Sequence, residues 1–183
     1  MKHFSGLFYF RDNITYPVII GLKTSHFAID FEYGTNGKAI HIENILNGDC
    51  HGVKWSVDTG EIITLFEKDV KIMAYPSPCM NYIVAIYDGN SKRFPPPNNA
   101  VVYNLDGSIH KVITTPLLTI PDKNALKKGH SFETVFWDRN KENKLALCIS
   151  VMEDEHSWVD WYQDIEFDAE TGEFGDSLSR IGR

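Results

Sequence analysis

Cys50 and His51, with His41 nine residues before Cys50, could offer three ligands to a metal ion. A structural zinc site needs four, and no second Cys/His pair stands at ligand spacing, so no metal is expected here. His26, Asp30 and Glu32 would share one face of a strand and could hold a divalent cation or move a proton; solvated charge is the simpler reading of that face. His130-Ser131, and His156 near Asp154, set a base beside a nucleophile or a carboxylate. No Gly-Xaa-Ser-Xaa-Gly elbow surrounds them, and seven histidines generate such neighbours by chance. No Gly-Lys-Ser/Thr sequence follows a glycine-rich loop, so a phosphate cradle is not expected either. The residue types therefore assign no catalytic residue and no cofactor.

What remains is a run of carboxylates. Residues 1–150 hold 16 Lys or Arg against 15 Asp or Glu, whereas residues 151–183 hold 2 against 10, so the formal charge of −7 is almost wholly C-terminal. No Lys or Arg occurs in the acidic segment 151–176. Phosphate binding needs clustered cations, so nucleic acid is not expected as its partner, and a basic protein surface is the complementary choice. The candidate partner-binding residues are Glu153, Asp154, Glu155, Asp160, Tyr162, Asp164, Glu166 and Asp168. The plainer alternative is that these acids only keep one face soluble.

The elements that must position them follow from the hydrophobic pattern. Period-two alternation recurs along the chain and helical periodicity is scarce, which predicts an all-β antiparallel fold. Residues 26–33 alternate Phe27, Ile29, Phe31 and Tyr33 against His26, Ala28, Asp30 and Glu32, as a half-buried strand requires. Asn36-Gly37 then supplies a tight hairpin turn into a return strand over residues 39–45. Residues 82–87 and 145–152 are apolar on both faces and predict central strands.

Further turns are marked by Asp58-Thr59-Gly60, Asp88-Gly89, Asp106-Gly107 and the stretch from Asp168 to Gly172. Three of them share a sub-pattern whose glycines, Gly60, Gly107 and Gly172, are 47 and 65 residues apart. The spacing fits a repeat if residues 116–130, with a one-turn helix over 122–128, are an insertion. Residues 93–99, with three prolines, predict a stiff exposed loop.

Residues 159–168 admit two periods. Trp158, Trp161, Tyr162 and Ile165 have helical spacing, but Val159, Trp161, Gln163, Ile165 and Phe167 alternate with Asp160, Tyr162, Asp164, Glu166 and Asp168. The β-branched and aromatic content and the turn that follows favour a strand. The carboxylates and Tyr162 would then project from one face, neighbours about 6.8 Å apart. The aromatic residues Phe4, Phe8, Tyr9, Phe10, Trp55, Trp137, Trp158 and Trp161 fall mainly on alternating positions and are expected in the core rather than on a sugar-binding platform.

With 183 residues, 43% of them hydrophobic and 23% charged, the chain is expected to form a single domain over 1–183, in a hairpin meander arranged as a sandwich, a barrel or a propeller-like stack with at most one or two helical turns. Cys50, Cys79 and Cys148 are odd in number and scattered, as in reduced cytosolic proteins. No apolar run reaches the roughly 20 residues of a membrane span, and the first residues lack the pattern of a signal peptide, so a cytoplasmic protein with no membrane partner is expected. The pattern leaves the oligomeric state open.

The hairpin from Asn99 to Ile109 and the ending from Trp161 to Gly175, within a compact acidic chain, resemble the small cytosolic immunity proteins encoded beside bacterial polymorphic toxins, including those of contact-dependent growth inhibition. The resemblance implies a non-enzymatic protein that binds one cognate toxin domain and blocks its active site or access to it. Many such toxins are nucleases with basic clefts, which an acidic surface complements. No family residue transfers one to one. A metal-assisted hydrolase using some of His26, Asp30, Glu32, His41 and His51, and a β module binding carbohydrate or protein, are the alternatives.

Overall fold

The computed structural model describes residues 2–31, 37–46, 51–121, 124–153 and 159–182. Strands β1 (Phe4–Arg11) and β2 (Ile14–Pro17) form a hairpin, and an excursion follows through β3 (Phe27–Asp30), β4 (Lys38–His41) and the helix α1 (Ile42–Leu46). The chain returns as β5 (His51–Val57) beside β1, and β6 (Ile62–Leu65) completes a first sheet in the order β2-β1-β5-β6. A second sheet is a plain meander of β7 (Ile72–Pro76), β8 (Tyr82–Tyr87), β9 (Ala100–Asn104) and β10 (Ile109–Ile113). After a two-stranded insertion, β11 (Leu117–Ile120) and β12 (Ala125–Lys128), a third meander runs through β13 (Phe132–Arg139), β14 (Leu145–Met152), β15 (Trp161–Phe167) and β16 (Phe174–Gly182). Every pairing within these sheets is antiparallel, and no sheet among the described residues closes into a barrel.

The sheets form a sandwich-like arrangement in which strands such as β8, β9 and β14 are buried on both faces. Leu7 and Tyr9 of β1, Val53 and Trp55 of β5, Ile83 and Ala85 of β8, and Ile149 and Val151 of β14 are all buried. β8 and β14 lie inside their sheets, as their two-sided apolar character predicts. The three related turns stand between the third and fourth strands of the three sheets. Gly60, Gly107 and Gly172 all have positive φ (83°, 85° and 74°), where a side chain would be strained. Each later turn leans on the sheet before it: Gly107 lies against Ile63, and His110 Nε2 is 2.8 Å from the carbonyl oxygen of Glu170.

Four expectations are corrected. The strand within 26–33 is oriented opposite to the hydrophobicity of its faces: Ala28 and Asp30 are buried, while Phe27 and Phe31 are exposed. Ala28 bridges to Val18 on the next segment, and a small side chain suits that close approach. The return strand expected to reach residue 45 stops at His41, since Ile42, Ile45 and Leu46 at i, i+3 and i+4 bury one face of α1. The helical turn expected over 122–128 is replaced by β12, which pairs with β11 while Leu118 and Ile120 enter the core. The proline loop is anchored: Phe94 is buried against Tyr87, with ring centroids 4.8 Å apart, and the buried Asn99 side chain bonds Tyr87 and Phe132 backbone groups. Asn36, Glu32 and Tyr33 lie outside the described residues. No helix among the described residues is long and apolar enough to cross a membrane.

Candidate functional site

β15 puts Gln163, Ile165 and Phe167 into the core, leaving Tyr162, Asp164 and Glu166 on the opposite face of the third sheet. Register fixes their neighbours. Ser150 stands across from Asp164 and Cys148 across from Glu166 on β14, Ser179 is opposite Asp164 on β16, and Thr134, Phe136 and Asp138 of β13 continue the same face. The face holds two hollows.

The first, about 500 Å³, is floored by Asp164 and the hydroxyl side chains around it. Ser150 Oγ donates to Oδ1 of Asp164 and Ser179 Oγ donates to Oδ2. Lys23 and His26 wall it from the excursion after β2, and Asp138 and Lys141 from the end of β13. Lys23 is paired with Asp138 and Lys141 with Asp176, both at 3.0 Å. The His26 ring stacks on His41 at 5.6 Å and lies 3.5 Å from Thr134 Oγ1. Beneath this face the Cys148 thiol is pushed up to about 12, by burial first and then by the charges of Asp138, Asp164 and Glu166.

The second hollow, about 410 Å³, opens at the end of the sheet between the turn 77–82 and the hairpin 168–175. Glu166, Asp168, Glu170 and Glu173 line it, and no lysine or arginine does. Two of the four carboxylates have structural tasks. Glu166 accepts from Asn140 Nδ2 at 3.2 Å, and Asp168 Oδ1 accepts the backbone N–H groups of Glu170 and Thr171 at 2.8 and 3.2 Å, closing the hairpin turn. Glu170 and Glu173 are exposed, and their carboxylates make no hydrogen bond or ion pair among the described residues. Tyr82, whose ring is 4.8 Å from that of His110, closes the opposite wall. Its phenol is raised by burial and then by Glu170, Cys79 and Asp168.

Of the residues expected to form the acidic partner face, Glu153 is corrected. It is buried at 4% exposure, its carboxylate clamped by Arg180 Nε at 2.6 Å, Arg180 Nη2 at 2.9 Å and Gln163 Nε2 at 2.7 Å. A buried carboxylate needs such partners, and here it ties the end of β14 to β15 and β16. Asp164 and Glu166 share a face as expected but are half-buried and hydrogen-bonded, not a freely exposed row. Asp160 and Tyr162 are half-buried and Asp168 is exposed, while Asp154 and Glu155 lie outside the described residues.

Among the described residues no three His, Cys, Asp or Glu side chains converge as a metal site; Cys50 lies outside them. Tyr9, Trp55 and Trp137 are core residues, whereas Trp161 is half-buried beneath Arg180, whose guanidinium carbon is 4.0 Å from the ring centroid. Glu170 and Glu173 were legible as continuations of the acidic run past its turn. Lys23, Ser150 and Ser179 carry no such signal, and His26 was marked only as a companion of Asp30 and Glu32. No known family model, curated protein or solved structure matches the chain.

Proposed function

We propose that this chain is a non-enzymatic binding protein that receives a basic protein surface in the groove of Glu166, Asp168, Glu170 and Glu173, and that it acts as an immunity protein neutralising a toxin domain. The observation that carries the reading is the composition of that groove: four carboxylates, two of them without partners among the described residues, and no lysine or arginine in the lining. Like charges gathered in a concave site repel one another, and an incoming cationic surface relieves the repulsion. The same field attracts the partner before contact, which favours fast association. The toxin assignment rests on the resemblance of the 99–109 hairpin and the 161–175 ending to immunity proteins.

The test is binding kinetics with the toxin domain encoded beside this gene. Glu170→Lys/Glu173→Lys reverses the two unpartnered charges and spares Asp168, which the turn needs. Association should slow by about tenfold or more at low salt, and salt should slow the wild-type protein in the same way. Unchanged rates in the double variant overturn the groove as the binding surface. An adjacent gene product that does not bind, or the absence of a toxin gene there, overturns the immunity role.

A further inference from the structure

The second sheet lies between the other two, and its edge strand β10 is left uncovered on one side. Tyr103 of β9 faces the first sheet, its ring centroid 6.0 Å from that of Trp55, and the β9–β10 register puts Ile109 and Val112 on that same side. Lys111, on the opposite side, reaches the third sheet at the Thr171 carbonyl. Val101 and Tyr103 are buried under the first sheet, whereas Ile109 and Val112 are 41% and 44% exposed. The first sheet therefore ends above β9. The strand at its end is β6, since Gly107, in the turn from β9 to β10, abuts Ile63.

β6 is itself an open edge. The Val57 N–H donates to the carbonyl oxygen of Glu61 at 3.1 Å, and the β5–β6 register continues from that pair. Bonded and non-bonded pairs alternate along an antiparallel ladder, so Ile63 and Leu65 turn their main-chain groups to β5 while Ile62, Thr64 and Phe66 turn theirs away. Among the described residues these outward N–H and C=O groups have no hydrogen-bond partner. Residues 62–66 also hold no proline and no charge, the usual guards of an edge.

We propose that this notch receives one extended strand of a partner protein, added to the edge of β6. Its main chain bonds Ile62, Thr64 and Phe66, and its inward side chains, at every second position, are apolar and cover Ile109 and Val112. The notch is one strand wide because β10 runs beneath it. That width rules out a second copy pairing β6 with β6: the two-fold axis of such a pair stands perpendicular to the sheet and brings both β10 strands into the same space. The occupant is thus a hairpin arm or terminal stretch whose inward face carries no layer of its own. The surface is separate from the acidic groove, whose wall Tyr82 lies on the third-sheet side of β8, and the inference does not depend on that groove.

The experiment is NMR and amide hydrogen exchange of the full chain with a capped peptide of alternating threonine and valine, and with its fully N-methylated form. In the free protein the amides of Ile62, Thr64 and Phe66 should exchange fast and those of Ile63 and Leu65 slowly. The peptide should slow the first three by about tenfold or more and shift the methyl groups of Ile109 and Val112 saturably, while the N-methylated form does neither. Val112→Lys, at an exposed position, sets a charge where the peptide buries valine and should weaken binding by about tenfold or more. No saturable response at these residues, or an equal response to both peptides, overturns the proposal. So does undiminished binding to Val112→Lys that the spectrum shows to be folded. Slow exchange of the three outward amides in the free protein means that the edge is already covered, by a second copy where the protection grows with concentration, and overturns it too. Glu170→Lys/Glu173→Lys should bind the peptide as the wild type does, so the two readings fail independently.

Discussion

The indole Nε1 of Trp55 donates a hydrogen bond to the carbonyl oxygen of Leu105, 3.0 Å away, across the boundary between the first and second sheets. Leu105 immediately precedes the Asp106-Gly107 turn, and Gly107 in turn abuts Ile63. The same relation recurs one sheet later, where Lys111 donates to the carbonyl of Thr171 and its side chain passes close to Gly172. The turns thus act as keys between sheets. The acidic hairpin that walls the proposed binding groove is held in place by the last of them.

Trp55→Phe removes the indole donor and, at this fully buried position, part of the ring volume as well. It leaves the Leu105 carbonyl without that partner at a buried boundary and should cost about 1–3 kcal/mol. Urea denaturation measures it. A loss below about 0.5 kcal/mol, the range of an ordinary surface change, would show the bond to be dispensable.

Gly107→Ala and Gly60→Ala separate strain from collision. Both positions have positive φ, 85° and 83°, so each alanine carries left-handed strain of roughly 1–2 kcal/mol. A Cβ at Gly60 meets nothing within 4 Å, whereas one at Gly107 lies 2.8 Å from Ile63 Cγ2. The Gly107 variant should therefore be the less stable of the two. Equal denaturation midpoints would mean that the key is loose.

Arg180→Met should be among the most destabilising surface-reachable changes in the third sheet. It strands the Glu153 carboxylate, 5% exposed, without its cation, which typically costs about 3–5 kcal/mol. Adding Glu153→Gln should recover much of that loss. A thermal melt of the two singles and the double reads the coupling, and strict additivity would contradict the clamp.

Alkaline pH should weaken the fold in two stages. The Cys148 thiol is raised to about 12 when folded, from about 8.5 when unfolded, so the folded state keeps a proton that the unfolded state releases. Its contribution is complete below about 8.5 and declines as pH climbs towards 12. Tyr9, Tyr75, Tyr87 and Tyr103, raised chiefly by burial, act with the same sign above about 10. Cys148→Ala should flatten the stability profile between these onsets and leave the later decline. In the wild type, alkylation should reach exposed Cys79 in the folded state and Cys148 only on unfolding.

Alternation made the strands legible, and Asp58-Thr59-Gly60, Asp106-Gly107 and residues 168–172 marked the hairpins that join the last two strands of each sheet. Alternation states that two faces differ, without stating which faces the core. For Phe27 and Phe31 the tight approach of β3 to the segment at Val18 decided it, and the aromatic side lost to Ala28. Glu153 looked like one more exposed acid because its partner Arg180 lies 27 residues on, across two strands. The Asp164 hollow had the same concealment: His26 and Thr134 meet across 108 residues, a distance no local pattern encodes.

The excursion through β3, β4 and α1 gives the first sheet a different assembly problem from the other two. In the second and third sheets every strand pairs with its immediate predecessor, whereas β1 must wait, one edge bare, until the chain has looped from Arg11 to His51. Closing that loop costs entropy before any ladder bond returns it, and non-local pairings slow folding. For a nascent chain emerging amino end first, the oldest strand thus gains its second neighbour only once β5 has emerged, well after its hairpin partner β2. The rate of maturation should accordingly follow the length of the excursion rather than the chemistry of the acidic hairpin.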